Sequence, residues 1–303
     1  MAGIETTAGR LDRTNSLLKE ALLQHLRKPG RIEAAELGFR MTRAEEATEV
    51  SCHVLDPLVV AIIQGKKRSI YGSEEIRYGE KQCIVTGVEF PSATRIVEAS
   101  PAKPYLAVSM LLDPVIIAEL LTTMPAVDLA GSVHKGLTVA ASDPAVLDAF
   151  LRLTDTISDP VRQSVLAPMI IREIHYRLLS GPFGNQLKMI HTNGSQSNQV
   201  AQAVTWLKEH YNEPFDVIKL AEQNNMAPST FHRHFRQLTT LSPLQYQKRL
   251  RLYEAQRLML AEHKDASTAG YSVGYESLTQ FNREYKRMFG APPRQDVQRI
   301  LAG

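Results

Sequence analysis

The chain has 303 residues, 44% of them hydrophobic, which is enough for two ordinary domains with packed cores. No run of 18 or more apolar residues occurs, so no membrane-spanning helix is expected, and Met1–Arg10 lacks the apolar core of a signal peptide. Two cysteines, Cys52 and Cys83, form neither a disulfide framework nor a zinc spacing, so a cytoplasmic protein with reduced thiols is expected. The net charge of +3 is uneven: residues 198–303 carry +4 and the remainder −1, which suits a polyanionic partner for the C-terminal part.

From about Leu37 to Leu112, short β-rich runs alternate with turn signals. Leu58–Gln64, Arg68–Tyr71, Gln82–Thr86, Thr94–Glu98 and Tyr105–Leu112 read as strands, separated by Gly65, Tyr71-Gly72-Ser73, Tyr78-Gly79 and Pro101. Many short strands at close spacing predict a small sandwich or barrel. From Asp113 to Gly181 the pattern turns helical. Asp113-Pro114 and Asp143-Pro144 each place an N-cap residue before a proline at the first helical position. Within Leu166–Leu179, Met169, Ile170, Ile174 and Leu178 fall at helical spacing. The polar, aperiodic stretch around Thr192–Asn198 reads as a flexible linker. These signals divide the chain into residues 1–184, a linker 185–198 and an all-helical part 199–303.

After the linker, Val200, Val204, Leu207 and Tyr211 predict an amphipathic helix. A repeat follows. Phe231-His232-Arg233-His234-Phe235-Arg236 and Phe281-Asn282-Arg283-Glu284-Tyr285-Lys286 match at a period of 50 residues, each with a proline seven residues on (Pro243, Pro293). Aromatics at i and i+4 share one helical face and can bury together, while the cations point away. Each such helix is preceded by a shorter one and a tight turn. In the first unit Asp216–Asn224 is the short helix, Asn225 suits a left-handed turn position, and Pro228 opens the second helix. In the second unit Asp265–Val273 is the short helix, Gly274-Tyr275-Glu276 the turn, and Ser277 with Gln280 a capping-box pattern. Short helix, turn and longer basic helix make a helix-turn-helix, here twice. Leu244–Leu260 reads as one long connecting helix, with Leu250, Tyr253 and Leu258 available for the core.

The stretch Gly274-Tyr275-Glu276-Ser277, then Phe281 to Arg287, then Phe289-Gly290-Ala291-Pro292-Pro293, resembles the signature of the AraC/XylS transcription regulators over about Val200 to Leu301. The N-terminal runs Pro57-Leu58-Val59-Val60, Ile63-Gln64-Gly65, Arg77-Tyr78-Gly79, Val97-Glu98-Ala99-Ser100-Pro101 and Pro104-Tyr105-Leu106 resemble one branch of that family. The resemblance implies an α+β protein: a cupin-like β-barrel with flanking helices that senses a small-molecule effector and dimerises, followed by the two helix-turn-helix units. It implies double-stranded promoter DNA as partner, a homodimer, and no cofactor, metal or membrane; RNA polymerase is a further partner it allows. Carried onto this chain, it points to Ser229, His232 and Arg233 and to Thr279, Gln280, Asn282 and Arg283 for reading bases, with Arg236, Lys286 and Arg287 for phosphates. Two departures stand out. Asn225 replaces a glycine, and Ala269-Gly270 weakens a helix interior by on the order of 1 kcal/mol, which predicts a less rigid second unit.

Two other readings are weighed. A metalloenzyme needs clustered ligands, but His53 is alone in the barrel region and His134, His175 and His191 are far apart in sequence. A DNA-binding scaffold whose barrel binds only protein has no separate sequence signal. Lys66-Lys67-Arg68 could hold an anionic ligand, but a solvated hairpin is the plainer expectation. The inward or outward facing of Arg77 and Arg95 is undecided by strand parity. Cys83, in Cys83-Ile84-Val85, is expected to be an ordinary buried thiol.

Overall fold

The computed structural model describes residues 6–72, 74–125 and 135–302. Ser73 of the anticipated turn and His134 lie outside them. The expected α+β arrangement is present. Helix α1 (Thr7–His25) leads into β1 (Gly30–Ala34), β2 (Phe39–Ala44), β3 (Ser51–Leu55), β4 (Leu58–Gln64), β5 (Lys66–Tyr71), β6 (Glu74–Gly79), β7 (Gln82–Thr86), β8 (Phe90–Glu98) and β9 (Tyr105–Leu111). Then come α2 (Pro114–Thr123), β10 (Leu137–Ala141), α3 (Pro144–Thr156), α4 (Pro160–Ser180) and α5 (Gly184–His191). The anticipated barrel takes the form of two facing antiparallel sheets, one ordered β1-β2-β9-β4-β7-β10, the other β3-β8-β5-β6.

Strand parity sorts the side chains into layers. On the six-stranded sheet, Phe39, Met41, Val59, Ala61, Cys83, Val85, Val108 and Met110 face outward into a core built with Leu18 and Leu22 of α1, Leu147 and Phe150 of α3 and Ile174 and Leu178 of α4. Burial of each of the Val, Leu, Ile, Phe and Met side chains among them contributes about 1.5–3 kcal/mol. The opposite face, with Ile62, Ile84 and Ala107, meets Tyr71, Tyr78, Phe90 and Ile96 of the other sheet. The undecided parity is now settled. Arg77 and Arg95 both stand across from Arg68 in register, on the solvent side of the four-stranded sheet.

The aspartate-proline starts work as read: Asp113 and Asp143 accept hydrogen bonds from the first-turn amides of α2 and α3, and Asp159-Pro160 does the same for α4. Three expectations need correction. Met169 is 68% exposed, because the buried stripe of α4 runs through Ala167, Ile170, Ile171, Ile174, His175, Leu178 and Leu179. Tyr78 and Gly79 lie inside β6 and not in a turn. Most of the anticipated linker is helical: α5 buries Leu187, Met189 and Ile190, and Ser195 caps the next helix, leaving only residues 192–195 between them.

The C-terminal part comprises α6 (Gln196–Glu209), α7 (Val217–Gln223), α8 (Pro228–Thr239), α9 (Pro243–Ala261), α10 (Ala266–Ser272), α11 (Leu278–Phe289) and α12 (Pro293–Ala302). Helix α9 is the anticipated connector, and it also packs on the solvent side of β3 and β8. Cys83 lies against Ser142 and Cys52 beside Tyr253 of α9, and burial pushes each thiol up to about 11. Of the isolated histidines, His175 serves as structure: its Nε2 accepts the Asp113 amide at 2.9 Å.

Candidate nucleic-acid interface

The two repeated units fold alike because their aromatic pairs bury alike. Phe231 with Phe235, and Phe281 with Tyr285, are each fully buried, with ring centroids 5.5 and 5.6 Å apart. This fixes the outward face of each longer helix. On α8 it exposes Ser229, His232, Arg233 and Arg236; on α11 it exposes Thr279, Gln280, Asn282, Arg283, Lys286 and Arg287. Every residue anticipated as a DNA contact is thus solvent-exposed, on two helices of equal length. Gln237, the repeat counterpart of Arg287, is exposed on α8 as well and was not among the anticipated contacts.

The turns differ by one residue. Asn225 adopts the left-handed conformation at φ 54°, and its counterpart Gly274 does so at φ 87°, but five residues (273–277) separate α10's end from α11 where four (224–227) serve in the first unit. Gly274 is doubly constrained, since a Cβ there would lie 2.0 Å from the Asn212 carbonyl oxygen. Gly270 likewise has a packing reason: a Cβ would sit 3.0 Å from the Phe281 ring, so the glycine lets α10 close on α11.

Side-chain chemistry holds α11 from beneath. Glu284 is buried and receives Lys248 Nζ at 2.9 Å, the Tyr275 hydroxyl at 2.9 Å and Gln280 Nε2 at 3.2 Å. Burial pushes its carboxyl up, but these three donors outweigh it and hold it below the usual range. The anticipated capping box is therefore half made. Ser277 Oγ accepts the Gln280 amide, while the Gln280 side chain turns to Glu284. The complete box is at Ser242 and Gln245, at the start of α9. On α8, Arg233 shares a 3.1 Å contact with His234 Nε2.

Arg251 of α9 fixes one unit to the other. Its guanidinium donates to the carbonyls of Tyr211 at 2.6 Å, Glu213 at 3.0 Å and Gly274 at 2.9 Å, so one side chain joins the loop before α7 to the turn of the second unit. Two solvated basic helices on a common frame are an arrangement for following one face of a duplex.

The AraC-type transcriptional regulator N-terminus family matches residues 37–186, and a helix-turn-helix domain family matches 220–299. The chain belongs to the AraC-type transcriptional regulators. It is similar to the transcriptional activator RhaS of Pectobacterium atrosepticum, at 29% identity over 102 residues, 34% of this chain and 37% of that one. It is also similar to the regulator ArgR of Pseudomonas aeruginosa, at 26% identity over 164 residues, 54% of this chain and 49% of that one. The match thus spans half or less of these relatives' length. In fold it resembles apo ToxT of Vibrio cholerae, with a TM-score of 0.56 at 8% identity, covering 86% of this chain and 97% of that one.

In this AraC-type chain the first unit is fastened to the sheets. The Thr240 hydroxyl donates to the Tyr71 carbonyl at 3.1 Å, the Tyr246 hydroxyl to the Glu89 carbonyl at 2.9 Å, and the Gly136 amide to the Leu238 carbonyl at 2.9 Å. Lys208 adds ion pairs to Asp56 and Glu89. Phe231, Phe235, Leu238 and Tyr246 share one hydrophobic core with Tyr71 and Phe90 of the sheets, whereas Phe281 and Tyr285 belong to a separate core.

The Arg251 bridge gives a first prediction. Arg251→Met should lower the stability of the full chain by about 2 kcal/mol, because three backbone carbonyls lose a charged donor. Urea unfolding should show this, and DNA affinity measured well below the unfolding midpoint should fall with it. Unchanged stability and affinity would mean that the two units hold their placement without this side chain.

Proposed function

We propose that this protein is a sequence-specific transcription regulator that binds promoter DNA through α8 and α11 and answers to a small-molecule effector in its N-terminal part. The observation that carries the reading is the pair of exposed helix faces repeated at 50 residues, with Arg233 and Arg283 at equivalent places. In this reading Ser229, His232 and Arg233, and Thr279, Gln280, Asn282 and Arg283, meet base edges in successive major-groove segments about 34 Å apart, one turn of the duplex. Arginine pairs bidentately with guanine, and Asn or Gln with adenine. Held by Glu284, Gln280 keeps its carbonyl oxygen and one amide hydrogen for a base. Arg236, Lys286 and Arg287 meet phosphates, which position the protein without specifying sequence. Residues 1–184 sense and dimerise, 185–198 connect, and 199–303 read DNA, in the cytoplasm.

What supports an effector is a cleft of about 210 Å³ walled by Tyr71, Ile76, Phe90, Leu137 and Val139 from the sheets and by Leu238 and Thr240 from the end of α8. A small molecule lodged there touches sensor and reader at once, and any change it makes in DNA affinity is returned as an equal change in its own affinity when DNA is bound. What supports a homodimer is an unpartnered stripe on α4. Val161, Val165 and Met169, spaced by four, are 72%, 59% and 68% exposed, and a cleft of about 430 Å³ runs beside them toward α3.

Two predictions test this. Arg233→Ala and Arg283→Ala should each cost about 1–3 kcal/mol on the cognate site and far less on random DNA, read by titrations at fixed salt; equal losses on both would demote them to phosphate contacts. The full chain should sediment as a dimer at micromolar concentration, and Met169→Glu as a monomer. A wild-type monomer, with and without DNA, would contradict the assembly.

A further inference from the structure

The three cations at the start of β5 divide by strand parity. Lys66 and Arg68 point outward and find acids: Lys66 Nζ lies 2.7 Å from Glu98, and Arg68 pairs with Glu75. Lys67 points the other way, on the same face as buried Ser69 and Tyr71, into the space between the two sheets. Its register neighbours are Ile96 on β8 and Tyr78 on β6, and no acid pairs with it among the described residues.

Other bases face the same space. Arg31 stands across from Thr42, which stands across from Ala107, which stands across from Ile62, so Arg31 shares the inward face of the six-stranded sheet. Arg40 stands across from Ser109 on that face. His53 stands across from fully buried Ser92 on the inward face of the four-stranded sheet. Glu33 is the one acid paired here among the described residues, and Arg40 takes it at 2.5 Å. Lys67 and His53 are therefore half-buried between the sheets, Arg31 stands exposed at the edge of the same face, and none of the three has an acid partner among the described residues. Their titration reflects the crowding. Burial, then the charges of Arg31 and Arg40, push Lys67 down to about 8, and burial, then the charges of Lys67 and Arg31, push His53 down to about 4. Protein interiors rarely keep an ammonium group unpaired, because an uncompensated buried charge is costly.

We propose that the space between the sheets binds an organic anion, its carboxylate or phosphate held by Lys67, Arg31 and His53 and its apolar body resting against Ile96, Tyr78 and Tyr105. This rests on reading the N-terminal part as a small-molecule sensor and names the class of molecule it senses. The anion supplies the charge that the fold leaves out, so the site is least stable when empty, and an uncharged analogue of the same shape gains nothing from Lys67. Tyr71 lies four residues along the same inward face of β5, at the end of α8. An occupant at Lys67 is therefore one strand segment from the docked reader.

The test uses the full chain without DNA, at neutral pH and low salt, with Lys67→Met and Lys67→Gln as variants. Without ligand, both variants should melt above wild type, by about 2–4 °C, as an unpaired internal charge is removed. A broad panel of small carboxylic acids and phosphate monoesters, with their matching amides and alcohols, is then screened by thermal shift. Acids should raise the melting temperature of wild type and not of the variants, with the best acid bound at least ~10-fold more weakly by either variant, a loss that a charge-assisted contact accounts for. Which arm acts, carboxylates or monoesters, names the head group. Variants that melt below wild type or fail to fold would overturn the proposal, since Lys67 would then be held by the fold itself. Amides and alcohols that work as well as acids would overturn the anion while leaving small-molecule sensing in place. No shift from any class would overturn both.

Discussion

The contact at the end of α8 governs the rest of the structure. Thr240 closes that helix in the left-handed conformation at φ 62°, which costs an L-residue on the order of 1–2 kcal/mol. The repeat counterpart is Gly290, at φ 82°, where a Cβ would meet nothing within 4 Å. The strain at Thr240 persists because its hydroxyl bonds the Tyr71 carbonyl and its side chain fills the space that Gly72 leaves open: a Cβ at Gly72 would lie 1.9 Å from Thr240 Oγ1. A conformation unfavourable for the helix is thus favourable for the junction. Leu238 and Leu241 follow it into the core shared with the sheets.

From this asymmetry comes a division between the readers. The end of α8 is built into the mouth of the sheets, whereas α11 is held by Glu284 below and by α12, where buried Asp296 receives Tyr285 at 2.9 Å and Gln256 at 2.7 Å. Helix α9 joins both, and Arg251 ties its middle to the turn of the second unit. A displacement at the sheet mouth therefore meets α8 first, then α9, then the placement of α11. This is a contiguous packed route and needs no flexible tether, since the linker segment 185–198 is helical over 185–191 and 196–198.

The sequence showed the reading half most clearly, because its signals are local. Aromatics at i and i+4, Asn225, Pro228 and the two prolines seven residues on all act within one or two turns of helix. Strands β4 and β7 were legible to the residue, since apolar runs between glycines and turns admit little else. What escaped depended on distant partners. Helix α1 buries only Asn15, Leu18 and Leu22 among its own residues and gains its stability from packing chiefly on α3 and also on β4. Gln280 could be placed on the exposed face but not assigned to Glu284. Lys67 could not be told from Lys66 and Arg68, because parity is set by which neighbour strand is paired, and pairing is non-local.

The Gly136 amide tests the central claim, that the first reader is docked on the sensing sheets through Thr240. Among the described residues that amide bonds only to the Leu238 carbonyl, across the junction. Its hydrogen exchange, followed by NMR in the full chain, reports docking and little else. The account predicts strong protection in wild type. In Thr240→Gly that protection should be lost, though glycine relieves the helix end, while the amides of β7 keep theirs. A Gly136 amide that exchanges freely in wild type, or stays protected in the variant, would contradict it.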